Sequence, residues 1–456
     1  EALIAWLWER ENGSENSGVM QSEVSDAGKA NAGLMSVYNT SQGTILKVEK
    51  KKETKNPPLL YNLAELQNDC SKMFKISPDQ TLKIVQELYE RKLVTYPRTD
   101  ARVLSTAVAK EIGKNLSGLK GFSPCASFAA EVLQGTAWKT IAKTRYVNDK
   151  QITDHYAIIP TGQTGAVRNL PSLNAKVYEL IVRRFLSIFY PPAISQKVSL
   201  TVLVKSQQLP QGERFFASFK VLTQEGYLGV SRPSFFSSKK EEKEEKNGEE
   251  EEFSCDEAFL KVLQTMKKGE QLPLHSLSIK EGETSPPKRY NSGSLILTME
   301  NAGQFIEDEE LRAQIKGSGI GTSATRAEIL KKLVTIEYLA LNKKTQTITP
   351  TLMGEMIYDV VSDSIRPLLN PALTASWEKG LTGVAEGTIT SGEYMDKLDD
   401  FVRRRTNIVK QLHNQSILYQ QFDAIAGFYQ KKETAPAVKK AGTAKKRTEK
   451  KENAEG

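Results

Sequence analysis

Hydrophobic periodicity changes twice along this chain, and those changes restrict the fold more than any single residue does. Leu63, Leu66, Cys70 and Met73/Phe74 recur at helical spacing, and Leu82, Val85, Leu88 and Tyr89 repeat the pattern. Between them, Ser77-Pro78-Asp79-Gln80 reads as a capping box with proline at the first helical position. A helix over roughly 175–190 stops at Pro191-Pro192, a pair without the N–H groups a helix needs. Alternation then takes over: Val198, Leu200, Val202 and Val204 fall on one strand face, and residues 215–221 make its antiparallel partner. Residues 36–55 read as a strand followed by a lysine-rich connection, Lys47 to Lys55. From Lys288 the pattern is helical again, except for a hairpin-like stretch at 343–349. Helices segregated from an antiparallel sheet predict a multidomain α+β chain.

Composition narrows the partner class. The 456 residues carry a net charge of +8, unevenly spread. The stretch 431–456 holds nine Lys/Arg against four Glu, whereas 239–252 holds four Lys against eight Glu. A mildly basic body with a basic tail suits a polyanion, and a solvated tail without a partner is the plain alternative. The acidic run reads as a mobile loop or linker. No apolar run approaches the roughly 18 residues of a membrane span, and the first ten residues lack the pattern of a signal peptide. Cys70, Cys125 and Cys255 are far apart, so neither a disulfide framework nor a Cys-x-x-Cys zinc site is available. A cytoplasmic setting is expected. The chain does not begin with methionine, and it reads as a fragment.

Leu93-Val94-Thr95-Tyr96-Pro97-Arg98-Thr99-Asp100 carries the chemistry. Pro97 biases Tyr96 towards extended geometry, which sets Tyr96 and Arg98 on one side of the chain. A phenol with pKa about 10 is a poor nucleophile until its anion is stabilised. An arginine fork supplies that charge and matches two phosphate oxygens. On spacing alone a packed tyrosine beside a surface arginine is the commoner arrangement.

The string resembles the active-site signature of type IA DNA topoisomerases, whose tyrosine becomes linked to a 5′ phosphate. Residues 57–63 (Pro-Pro-Leu-Leu-Tyr-Asn-Leu), Glu65-Leu66-Gln67 and Glu87-Leu88-Tyr89-Glu90 lead into it as they do in that family. Thr153-Asp154-His155-Tyr156-Ala157-Ile158-Ile159-Pro160-Thr161 is similar to the family's second active-site segment. Gly319-Ile320-Gly321-Thr322-Ser323-Ala324-Thr325-Arg326-Ala327 resembles its DNA-cradling loop and helix, with Ser323 where the family usually has proline. The likeness runs from about residue 40 to about 430, with a bacterial topoisomerase III flavour, and none is seen over residues 1–36. It implies a toroid core: helical tyrosine and DNA-groove domains closed by a β-rich arch. The implied map is 1–35 of unclear role, 36–58 the first arch strand and connection, and 59–190 the tyrosine domain. Residues 191–285 complete the arch with an acidic loop at 239–252, 286–430 form the groove domain, and 431–456 a disordered basic tail.

Carried over position by position, the resemblance makes Tyr96 the nucleophile, Arg98 its phosphate clamp, and His155 a hydrogen-bond donor to the phosphate or an acidic partner. Asp154 and Thr161 orient that histidine or touch the DNA backbone. Gly321, Thr325 and Arg326 contact single-stranded DNA at a helix beginning near Thr322 or Ser323, where a glycine-rich turn exposes N–H groups. Lys288 and Arg289, after Pro286-Pro287, contact phosphates or are simply solvated. The family's acidic TOPRIM domain, with its glutamate, Asp-x-Asp magnesium site and lysine, has no counterpart here; no Asp-x-Asp lies upstream of Tyr96. Magnesium is thus expected as cofactor, with no ligand in this chain. The chain reads as the nucleophile half of a two-part site: part of a longer protein, partner to a separate TOPRIM polypeptide, or unable to turn over. The alternative is a single-stranded-DNA-binding remnant without catalysis. A tyrosine recombinase or a relaxase fits poorly, since three scattered histidines supply neither set of catalytic residues.

Overall fold

Leu63, Leu66 and Cys70 are fully buried, so the stripe read from the sequence is the inner face of a helix, α1 (Leu63–Phe74). The computed structural model describes residues 42–205, 210–236, 252–254, 257–274, 286–315 and 319–429. Residues 1–35, nearly all of the acidic run, Gly317-Ser318 and the tail from 431 lie outside the described residues. Ser77 caps α2 (Pro78–Glu90) by accepting from the Gln80 N–H, with Pro78 in the first turn. Helices α3 (Thr106–Leu119), α4 (Ala126–Gln134) and α5 (Ser172–Ser187) complete one apolar core spanning residues 60–189. Each fully buried leucine in such a core contributes roughly 1.5–3 kcal/mol. A polar network stiffens it: Tyr61 Oη donates to Asp69 at 2.6 Å, and Arg184 donates to the same carboxylate at 2.9 Å while lying 4.0 Å from the Tyr61 ring centre.

The sheet comes from both sides of this helical core in sequence. Strand β1 (Gln42–Lys55) pairs antiparallel with β2 (Ala193–Val204), and β2 with β3 (Glu213–Gln224). Short strands β4 (Glu252–Ser254) and β5 (Gln271–Pro273) complete the order β4-β3-β2-β1-β5. The lysine-rich stretch from Lys47 to Lys55 is therefore strand, not connection. Its ladder with β2 runs unbroken from Lys47 to Lys55, so cross-strand pairing holds what side-chain pattern alone would not. Helix α6 (Glu257–Thr265) seats Leu260 and Leu263 on Val198, Leu200 and Val221. After β3 the chain returns to the helical core, where Ser234 donates to Glu179 and Val230 accepts from the buried Arg183.

Beyond residue 286 lie α7 (Ser292–Glu300), α8 (Glu309–Ile315) and α9 (Arg326–Thr335), then a hairpin of β6 (Leu339–Leu341) and β7 (Ile348–Pro350). Four longer helices follow: α10 (Leu352–Ile365), α11 (Pro371–Glu386), α12 (Ser391–Lys410) and α13 (Gln415–Tyr429). Helix α7 lies close on α1, because Gly293 leaves no room for even a methyl group: a Cβ there would stand 2.5 Å from Asn68 Cα.

Candidate active site

Two short segments, 93–99 and 155–161, run antiparallel and hold the site. Helix α2 ends in a turn with Lys92 at φ 60°, and the chain then extends. Thr95 N–H donates to Ile159 O at 3.0 Å, and Thr161 N–H to Leu93 O at 3.0 Å. The Thr95 hydroxyl accepts from Ile159 N–H and donates to Ala157 O. The Thr99 hydroxyl donates to His155 O at 2.7 Å. Leu93, Val94, Ala157, Ile158 and Ile159 are all buried, so one side of this pair anchors in the helical core. The other side carries the half-buried Tyr96 and the exposed Arg98 and His155.

The Tyr96 ring sits between two others. Its centre lies 4.4 Å from that of His155, inclined at 42°, and 5.5 Å from Tyr89, nearly perpendicular at 82°. Edge contacts of this kind fix a ring's direction. The sequence marks Tyr89 as part of a helical face and of a family-like lead-in; its ring contact with Tyr96 comes from its position one turn before the extended segment. Arg98 makes no ion pair or hydrogen bond among the described residues, so its exposed guanidinium, two residues on from Tyr96 in sequence, is available to an anion. The Thr161 hydroxyl donates to Lys92 O at 2.6 Å, which makes this residue a brace of the two-segment scaffold.

The third family-like stretch is placed differently from expectation. Arg326 is 1% exposed and forms an ion pair with Asp100 at 2.9 Å, its Nε donating to Ile320 O. A phosphate contact by Arg326 is therefore not available in this structure, because burial and a carboxylate partner occupy the guanidinium. Helix α9 also begins later than expected, at Arg326, after a turn over 323–325. Several N–H groups of the glycine loop are committed internally: Gly319 to Ile315 O, Ile320 to Met299 O, and Thr322 to the Thr325 hydroxyl. Gly319 and Gly321 both have φ 67°, and a Cβ on Gly319 would meet the Met299 and Glu300 carbonyls at 2.5 Å. Gly319 serves close packing on the end of α7, and Gly321 packs on the turn and helix that follow it. Thr325 stays exposed and Gly321 half-buried. Lys288 and Arg289 are exposed; Arg289 lines an open groove of about 400 Å³ with Thr349, Glu355 and Tyr429. No contact joins either residue to Tyr96 among the described residues.

Sequence reading missed the partners of Arg326. Asn62 donates to Glu300 at 2.6 Å and to the Asp100 carbonyl at 3.1 Å, and Arg326 lies 3.9 Å from Glu300. Burial pushes the Glu300 carboxyl up to about 7; Arg326 pulls against this, and Asp100 and Glu65 add to it. The one signal in sequence is an acid closing the apolar run Leu295-Ile296-Leu297.

Among the described residues no group of three His, Cys, Asp or Glu side chains is set to hold a metal ion, so this chain offers magnesium no described ligand set. None of the described helices is long and apolar enough to cross a membrane.

A family model described as DNA topoisomerase matches residues 3–396, which takes in most of the N-terminal segment where no likeness had been read. The chain is 32% identical over 370 residues to DNA topoisomerase 3 of Bacillus licheniformis, covering 80% of this chain and 47% of that protein. It is 30% identical over 399 residues to DNA topoisomerase 3 of Bacillus subtilis, covering 86% and 50%. The chain thus spans about half the length of the curated relatives it matches. Full-length topoisomerase I from Thermotoga maritima shares the fold at a TM-score of 0.54 and 21% identity, over 81% of this chain and 53% of that one. The α+β architecture and these matches place the chain in the DNA topoisomerase family, as a bacterial type IA, topoisomerase III-like member.

Proposed function

We propose that this chain supplies the nucleophile half of a type IA topoisomerase, binding single-stranded DNA and cleaving one strand through Tyr96. The observation that carries the reading is the setting of Tyr96: held by Tyr89 and His155 on a braced segment, with Arg98 exposed beside it and without a partner among the described residues. The phenol oxygen loses its proton and attacks phosphorus. A tyrosine–phosphate bond forms at the 5′ side as the bond to the 3′ oxygen breaks, and that oxygen takes up a proton. Reversal reseals the strand without ATP, because the covalent link retains the bond energy. Arg98 faces the negative charge that builds on the phosphate, and His155 is the second donor within reach of it.

The proton for the 3′ oxygen and the magnesium ion belong, on this reading, to a TOPRIM-type segment or polypeptide acting with this chain. A cytoplasmic setting goes with that role. The test is a trapping experiment: single-stranded oligonucleotide and magnesium, with and without an added TOPRIM domain, then digestion and mapping of the nucleotide-bearing peptide. An adduct on the peptide containing Tyr96, absent in Tyr96→Phe with single-strand binding retained, supports the reading. An adduct on another peptide, or none under either condition, defeats it.

A further inference from the structure

We propose that Arg326 is a positioning residue: it holds Asp100, and with it the Tyr96 segment, against the 286–429 helices across a polar seam along which the two parts separate. This rests on the topoisomerase reading for its purpose, since a strand can pass only if the tyrosine-bearing part moves away.

Where residues 59–190 meet residues 286–429, several polar side chains bond across the boundary. Ser71 bonds Ser292 across it at 3.0 Å, and Ser292 is held on its own side by donating to Gln346 at 2.9 Å. Asn62 bonds Glu300, and Asp100 pairs with Arg326. Asn68, also buried here, leaves its Oδ1 without a partner. In the apolar cluster of Ala64, Ile296, Leu330 and Ile348, the tyrosine-bearing part contributes Ala64 alone. A surface meant to stay closed gains from burying leucine and valine, as the 60–189 core does. Serine, asparagine and charged groups are rehydrated when a surface opens, so parting such a seam forfeits little.

Arg326 joins the seam at Asp100, on the segment that carries Tyr96. Asp100 lies four residues after Tyr96, and the Thr99 carbonyl accepts from Leu63 N–H at the start of α1. Fixing Asp100 therefore fixes where the tyrosine segment leaves the scaffold. Glu300 adds a dependence on pH. The charged groups facing it are Arg326, Asp100, Glu65 and Arg102, and Glu65 is itself paired with Arg102 at 2.5 Å. When Glu300 is neutral, Arg326 and Asp100 balance; when it ionises, one buried negative charge is left over. Opening returns Glu300 to water, so opening gains on closure as pH rises towards 7 and becomes independent of pH above it.

Hydrogen–deuterium exchange on the full chain tests this without DNA. With intrinsic rates corrected for pH, exchange over 93–103 and 292–300 should rise with pH by up to about tenfold per unit between 5 and 7. Glu300→Gln, which keeps an acceptor for Asn62, should flatten that rise. Asp100→Asn should raise exchange in both segments by about tenfold or more while α5 stays protected. A parallel titration with an oligonucleotide follows the salt dependence of Arg326→Gln. A positioning role leaves the slope unchanged, whereas loss of a direct phosphate contact lowers it by about 0.7. Unchanged exchange in Asp100→Asn, a pH rise that survives Glu300→Gln, or a lowered salt slope overturns the proposal. If Arg326→Gln does not fold, the other two variants decide. Because exchange is read without DNA, its failure is distinct from a missing adduct on Tyr96.

Discussion

The hydroxyl of Thr99 donates to the carbonyl oxygen of His155 at 2.7 Å, so one bond ties the segment that carries the phenol to the segment that carries the imidazole. Thr99 is 4% exposed, and its hydroxyl also accepts from the Ala101 N–H. Removing it leaves the partly buried His155 carbonyl and the buried Ala101 N–H unmet, at a cost of about 1–3 kcal/mol. Thr99→Val should therefore weaken cleavage at Tyr96 by roughly tenfold to a hundredfold with single-strand affinity little changed, since neither Tyr96 nor Arg98 is altered. Thr99→Ser restores the hydroxyl and should recover most of the rate. Adduct formation measured in single turnover, beside binding by anisotropy, checks both halves.

Arg98 is exposed and has no protein partner among the described residues, so the proposed role predicts a contribution to the reaction and little to the fold. Arg98→Ala should change unfolding stability by no more than about 0.5 kcal/mol, while cleavage loses about 2–4 kcal/mol of transition-state stabilisation. Arg98→Lys keeps the charge but loses the two-pronged geometry, and should recover only part of the rate. A urea melt and an adduct time course on the same samples separate the two effects. A large loss of stability in Arg98→Ala would assign it to the fold instead.

Much of this fold was legible because local pattern and tertiary packing agree. Leu63, Leu66 and Cys70 face the core their spacing demanded, and Val198 and Leu200 alternate inward as read. Lys47 to Lys55 was misread because nothing in a run of lysines announces a strand; its hydrogen bonds come from β2, about 150 residues away in sequence. Arg326 was misread for a similar reason. An arginine beside a glycine-rich turn looks solvent-facing, and only the approach of Asp100 from another part of the chain makes it a buried cation. Tyr96, Arg98 and His155 are singled out by motif, but their spatial relation depends on backbone bonds between segments some 60 residues apart, and no periodicity reports such bonds.

Glu300 links stability to pH with a definite sign. Its carboxyl is raised from 4.5 in a free chain to about 7 in the fold, so the folded state holds the proton more tightly. Its favourable contribution is complete below about 4.5 and is lost as pH rises to about 7. Glu300→Gln, neutral throughout, should not show that loss. Chemical denaturation of both proteins at pH 5, 6, 7 and 8 should give a difference that grows in favour of the variant up to pH 7 and then levels off. A constant difference would remove Glu300 as the titrating group.

Arg184 offers the sharpest test of what holds the tyrosine-bearing core. Its guanidinium donates to Asp69 at 2.9 Å and to the Leu59 carbonyl at 3.1 Å, and it lies over the Tyr61 ring. Tyr61 and Asp69 are themselves bonded at 2.6 Å, and burial holds the Tyr61 phenol well above its ordinary range. Arg184→Ala strands the partly buried carboxylate of Asp69 and should cost about 3–5 kcal/mol, read as a lowered denaturant midpoint. If the loss arises from that stranded charge, Asp69→Asn made together with Arg184→Met should recover much of it, because the double change removes both ions and keeps the volume. Recovery in the double variant assigns the cost to electrostatics. A double variant as unstable as Arg184→Ala would assign it instead to what methionine cannot replace, the cation above the Tyr61 ring and its bond to the Leu59 carbonyl.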